Sequence, residues 1–304
     1  MKIRALYFLF SLFLLVGARG GIVAQSLNDK DVAFFKKYED SLRIMQKKMF
    51  YSKADTTKFK ANVMFYHLFE EILHNTLSFY YPFDSLKKDI NLRTSPDKKF
   101  RIITWNIPKE DGTYIYFGFL QTMHPKVKNY VVYELTDKSA MVKNPETYIS
   151  DNTKWFGMLY YTIIPCGDYY TLLGWDGNDK LTARKFIDVL SFKKDGSPLF
   201  GKDVFKMPKK FPKRVMLEYN AQLTITLQYN EAVNAIVFDN LIPKESYLEG
   251  QYQFYGPDFS YDTFILKHGK WDFEENVDVK NPRSKLDNIK KDPNKKDKSV
   301  YTPK

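Results

Sequence analysis

The chain has 304 residues, of which 44% are hydrophobic, 27% charged and 17% aromatic, which excludes a wholly disordered, collagen-like or coiled-coil protein. Its single cysteine, Cys166, excludes an intramolecular disulfide framework and any multi-cysteine zinc or iron–sulfur site. The net charge of +11 is unevenly spread: Lys2, Arg4 and Arg19 account for +3, and the stretch 278–304, with nine Lys/Arg against four Asp, for +5. The remaining 25–277 are close to neutral, which argues against a nucleic-acid-binding body.

Residues 1–24 read as a secretory signal. A basic start at Lys2 and Arg4 precedes an apolar run from Ala5 to Val16 and then small residues, with cleavage expected after Ala24. The run is too short to cross a bilayer core, which needs about 20 apolar residues. The expected location is the periplasm, the outer-membrane surface or the medium.

Residues 25–80 read as a two-helix element. Phe35, Tyr38, Leu42, Met45 and Met49 recur at alternating spacings of three and four, the signature of one apolar helix stripe. Ser52 to Thr57 interrupts the pattern, and Asp55 or Thr56 is the expected cap of the next helix. There Phe59, Val63, Tyr66, Phe69, Leu73 and Leu77 form a stripe, with Met64, Phe65, Leu68 and Ile72 on the other side. A helical hairpin docked on a sheet satisfies both patterns.

From about Phe100 the period changes to two. The clearest alternation is Gln222 to Tyr229. Further strands are expected at Phe100–Asn106, Thr113–Leu120, Tyr130–Leu135, Trp155–Ile164, Asp168–Trp175, Arg184–Phe192, Arg214–Tyr219, Asn234–Phe238, Thr263–Lys267 and Lys270–Phe273. Short turn signals such as Asp111-Gly112, Asp195-Gly196 and His268-Gly269 join them, so neighbouring strands run antiparallel. Residues 81–277 are thus expected to form an antiparallel β-meander domain, as a sandwich or curved sheet rather than a propeller, because the four tryptophans show no repeat period. The fold class is α+β. The segment 278–304, rich in Lys, Asp, Asn and Pro, reads as a disordered basic tail able to make weak contact with anionic surfaces.

Three constellations carry possible chemistry. His67, Glu71 and His74 share one helical face, a set able to hold Zn²⁺ or Fe²⁺; the plainer reading is a pair of helix-face contacts, His67–Glu71 and Glu70–His74. Asp176, Asn178 and Asp179 offer oxygens for calcium, but Asp-Gly and Asn-Asp are also what a tight turn requires. Cys166, between Pro165 and Gly167, lacks any nucleophile signature and reads as a small buried thiol, with His124 and His268 the non-helical histidines. No cofactor fingerprint occurs. The Tyr-Tyr pairs 80–81, 160–161 and 169–170 place one ring on each face of a strand, so one of each pair is a candidate for an exposed sugar-stacking face, while the plainer reading is core and sheet packing.

Ser95 to Trp105, Gly174 to Asp179 and Phe254-Tyr255-Gly256-Pro257-Asp258 resemble segments of exported proteins of the Bacteroidota that have a helical start and a β-rich body. The resemblance implies an envelope or secreted location and no particular activity. The functional expectation is a non-catalytic exported protein that binds a protein partner or a glycan. Its alternative is a secreted or periplasmic hydrolase acting on polysaccharide. Clustered carboxylates in a deep cleft favour the enzyme, whereas exposed aromatics favour binding.

Overall fold

The computed structural model describes residues 27–275, apart from 209; the expected signal and basic tail lie outside the described residues. Helix α1 spans Asp29–Tyr51 and α2 spans Asp55–His74. Asn28 caps α1 through a reciprocal box: its side chain accepts from the Asp31 amide, and the Asp31 carboxylate accepts from the Asn28 amide. The expected cap of α2 is not formed. Ala54 occupies that position without a side-chain bond. Asp55 instead exchanges hydrogen bonds with Glu110 on a strand turn, its carboxylate accepting from the Glu110 amide at 3.0 Å and its own amide donating to Glu110 Oε1 at 3.0 Å. The start of α2 is therefore fixed by tertiary contact.

Three sheets follow. The first holds β1 (Asn91–Thr94), β2 (Phe100–Pro108), β3 (Tyr114–Met123) and β4 (Tyr130–Thr136), antiparallel in chain order. The second contains β5 (Ser150–Asp151), β6 (Leu159–Pro165), β7 (Tyr169–Asp176), β8 (Thr182–Phe192) and β9 (Pro198–Phe200), in the order β5-β9-β8-β7-β6. A short strand, β10 (Phe205–Lys206), leaves for the third sheet, and β11 (Val215–Asn220) returns to pair with β8 at Thr182–Ile187. The third sheet adds β12 (Leu227–Asn230), β13 (Ala235–Pro243), β14 (Tyr255–Lys267) and β15 (Lys270–Glu274), in the order β10-β15-β14-β13-β12. All of these pairings are antiparallel except β10 with β15.

The layers stack in series: helices, first sheet, second sheet, third sheet. Ile103, Trp105 and Ile107 of β2 face the helices, meeting Phe65 and Phe69. Phe100 and Ile102 face the opposite way, into a core shared with Tyr160, Tyr170, Leu172 and Phe186 of the second sheet. A third core joins Ile164, Tyr169, Leu173 and Ile187 of the second sheet to Ile236, Phe238, Phe264 and Trp271 of the third. A strand covered on both faces loses the alternation of a half-wet strand, and β2 and β7 are accordingly buried almost throughout.

The layering accounts for several departures from the sequence expectation. Tyr169 and Tyr170 point to opposite faces and each face is a core, so both rings pack as the core reading of the tyrosine pairs expects and neither is free for a sugar. In α1 the buried stripe includes Glu39 and Gln46: Glu39 accepts from the Tyr81 hydroxyl and the Ser85 amide, and Gln46 donates to the Leu86 carbonyl. In α2, Val63 is exposed and Asn62 is buried, because its side-chain oxygen accepts from Trp105 Nε1 at 2.8 Å. Gln222–Tyr229 is a strand only from Leu227 onward. Upstream, the Thr226 amide donates to the Asp239 carboxylate at 2.6 Å and Lys185 Nζ donates to the Ile225 carbonyl, so side chains replace a strand partner there.

Candidate functional site

The second sheet carries a wall between two clefts. One cleft, of about 500 Å³, is lined by Tyr114 and Tyr116 of β3, Asp137 and Ser139, Asp176 and Asn178, and Arg184 of β8. Tyr116 spans it: its hydroxyl donates to Asp176 Oδ1 at 2.8 Å and accepts from the Gly177 amide at 2.8 Å, while its own amide donates to Asp137 Oδ2 at 3.0 Å. Asp137 Oδ1 accepts from Ser139 through both amide and hydroxyl, and from the Gly157 amide at 3.2 Å. Both Asp137 oxygens are therefore engaged by the fold.

Asp176 ends β7 and is buried. Burial pushes its carboxyl above the ordinary range; hydrogen bonds from the Asn178 amide and the Tyr116 hydroxyl, and the Arg184 charge, oppose that shift without cancelling it. Arg184 approaches Asp176 at 3.7 Å and makes its closer pair with Glu218 on β11, at 2.9 Å through Nε. Arg184 and Glu218 are cross-strand partners in register, the placement at which opposite charges support a sheet.

The second cleft lies on the other side of that pair. Glu218, Asp239, Asn240, Tyr252, Tyr255 and Asp262 line its polar part, with a volume of about 250 Å³. It continues past Tyr255 into a groove of about 460 Å³ formed by Asn220, Leu223, Ile242, Phe254, Gly256 and Pro257. The Tyr252 and Tyr255 rings lie 5.0 Å apart. Burial, then the Glu218 charge, pushes the Tyr252 hydroxyl upward.

At this groove the register of β13 and β14 slips between Asp239 and Leu241. Asp258, Phe259 and Ser260 bulge opposite Asn240. Asn240 donates to Asp258 Oδ2 at 3.0 Å, and Asp258 Oδ1 accepts from the Ser260 amide at 2.9 Å. Phe259 is held at φ +68° with its side chain 92% exposed. A left-handed conformation is unfavourable for a bulky residue, and bulges re-aim side chains. Tyr247, Tyr252 and Phe254, also exposed, come from the segment leading into β14.

The constellations singled out in the sequence fare differently. His67, Glu71 and His74 all lie on the exposed face of α2, and His67 meets Glu70 at 3.7 Å rather than Glu71. Among the described residues no group of three or more His, Cys, Asp or Glu is placed to hold a metal ion. Asp176 and Asp179 direct oxygens into the chain, and Asn178 donates through Nδ2 to the Thr182 hydroxyl at 2.6 Å: Asp176 Oδ1 takes the Asn178 amide, and Asp179 Oδ1 takes the amides of Leu181 and Thr182 at 2.7 and 2.9 Å. Asn178 sits at φ +48°, so this is a tight turn. Cys166 is buried, bonded to the Ile164 carbonyl and Thr171 hydroxyl at 3.4 Å, and burial pushes its thiol up. Asp137, Arg184 and Phe259 drew no notice in the sequence. For Phe259 a signal existed in Asp258-x-Ser260, the spacing at which an aspartate side chain caps its own turn.

Comparison of the chain with family models, with curated proteins and with solved structures found no match.

Proposed function

We propose that this is a non-catalytic exported binding protein and that it takes a glycan in the groove beside β13 and β14. The observation that carries the reading is that the exposed rings of Tyr252 and Phe254 line the cleft and groove at the start of β14, with a strained bulge holding Phe259 outward further along the same strand, in a protein whose other large rings mostly fill cores. Ring faces stack on sugars, and Asn240 and Asp239 along the same cleft offer polar partners for hydroxyls. Glycan-array screening followed by calorimetry tests it. Tyr252→Ala, Phe254→Ala and Phe259→Ala are expected to weaken binding by about tenfold or more each, the scale of about 1–2 kcal/mol per hot-spot ring, with unchanged folding. A glycan bound equally well by all three variants overturns the reading, as does capture of no glycan at all.

The hydrolase alternative rests on Asp176, whose raised carboxyl near Asp137 resembles an acid–base pair. Asp176 Oδ1 and both oxygens of Asp137 are already taken by protein donors, which favours binding. Turnover of polysaccharide lost in both Asp137→Asn and Asp176→Asn would establish the alternative.

A further inference from the structure

Arg101 on β2 is buried at the junction of the first sheet with the segment that follows α2. Its terminal nitrogens donate to the carbonyls of Tyr81 and Ser78, at 2.9 and 3.0 Å, and to Gln121 Oε1 at 2.8 Å. All three acceptors are neutral, and Nε has no partner among the described residues. Phe79 and Phe83 lie against the guanidinium at 5.6 and 5.4 Å. A buried cation without a counter-ion is costly, and burial pushes this one down to about 9.

The fold does not require that charge. Gln121, beside Arg101, ties down the same segment as a neutral amide, donating to the Leu73 carbonyl and the Ser78 hydroxyl at 3.0 and 2.9 Å. Above Arg101 opens a cleft of about 430 Å³ whose lining, among the described residues, includes Lys87, Arg93 and Arg101 but no carboxylate. Lys87 is held only by an exposed pair with Asp84, the kind worth little in water.

We propose that this cleft binds a small anion, carrying a carboxylate or a phosphate group, with Lys87 and Arg93 contacting it at the mouth and Arg101 supplying the missing opposite charge from beneath. Such an anion completes an ion pair that the protein leaves half built, and charge-assisted contacts to arginine are the strong ones. The site is distinct from the groove of the third sheet, so its test does not depend on the glycan reading.

Thermal shift and calorimetry on the full chain, with inorganic phosphate in one arm and succinate in the other, against sodium chloride at equal ionic strength, decide the matter. Saturable binding of at least one anion is expected. It should weaken about tenfold or more in the surface variant Lys87→Ala/Arg93→Ala and stay unchanged in Lys126→Ala. Arg101→Gln is expected to abolish it; should that variant not fold, the surface pair carries the test alone. No saturable binding of either anion up to about 10 mM overturns the proposal, as does binding undiminished in Lys87→Ala/Arg93→Ala.

Discussion

Arg214, just before β11, and Arg101, on β2, are both buried, yet only Arg214 has its charge neutralised by its surroundings. Arg214 donates through Nε to Asp188 Oδ1 at 2.9 Å. Asp188 Oδ2 accepts from the Tyr160 hydroxyl at 2.8 Å, and that hydroxyl accepts in turn from Trp155 Nε1 at 3.1 Å. The Arg214 guanidinium carbon lies 5.8 Å from the Tyr148 and Phe156 ring centroids, and its two terminal nitrogens have no hydrogen-bond partner among the described residues. The unit Arg214–Asp188 is neutral, whereas Arg101 faces only uncharged acceptors. A buried arginine is therefore no evidence of a site by itself; a missing counter-charge beside an open cleft is.

The largest expected effect comes from breaking the neutral unit. Asp188→Ala leaves Arg214 charged and unpaired in the core, which costs about 3–5 kcal/mol in urea unfolding. Replacing both partners, Asp188→Leu with Arg214→Met, should recover most of that loss, since paired apolar residues avoid the desolvation of two ions. Arg101→Gln is expected to cost less, about 1–2 kcal/mol, because lost hydrogen bonds are offset by removal of an uncompensated charge. If Arg101→Gln proves as damaging as Asp188→Ala, the contrast between the two arginines fails.

Arg184 stands between these extremes, shared by Glu218 and Asp176. Asp176 supplies a pH test. Burial raises its carboxyl above the ordinary aspartate value of 3.8, against the opposing Arg184 charge, and Asp137 and the Tyr116 hydroxyl also face it. As pH rises from 3.8 toward the raised value, the native state keeps a proton that the unfolded chain has already released. The contribution of this group is thus fully present below 3.8 and is lost as pH rises through the folded value. Unfolding midpoints of the wild type and Asp176→Asn, measured at about pH 4 and about pH 7, should show the wild type losing ground relative to the variant at the higher pH. A constant difference would mean that Arg184 fully offsets the burial.

Much of this frame is legible in the chain itself. The spacing of Phe35, Leu42 and Met49 gives α1 its buried face, and most strands fall near their expected places because turn dipeptides such as Asp111-Gly112 are local signals. What escaped is set by partners distant in sequence. Glu39 reads as a surface charge until Tyr81 and Ser85 meet it, and Val63 reads as core until Trp105 claims Asn62 instead. The clefts follow the same logic: Asp137 meets Asp176 only through Tyr116, and Arg101 becomes conspicuous only once its acceptors are known to be neutral. Stacked sheets also hide the difference between a core ring and an exposed ring, since Tyr170 and Tyr252 are the same residue type and opposite in exposure.

The smallest expected effect concerns His67, whose imidazole meets Glu70 at 3.7 Å on a solvated helix face. Helix-face pairs three residues apart contribute about 0.2–0.5 kcal/mol at most and are screened by salt. His67→Ala should therefore leave the unfolding midpoint almost unchanged, and adding Zn²⁺ should stabilise neither the wild type nor the variant. A zinc-dependent rise in melting temperature that disappears in His67→Ala would show His67 binding the metal. Because His67 sits on the solvated side of a helix whose other face packs on the first sheet, the same zinc titration measures how independent that outer face is of the core beneath it. Stabilisation by zinc would tie the two together; its absence leaves the cost of Asp188→Ala and the mildness of His67→Ala as the two ends of one scale, set by whether a charge has a partner and whether water can reach it.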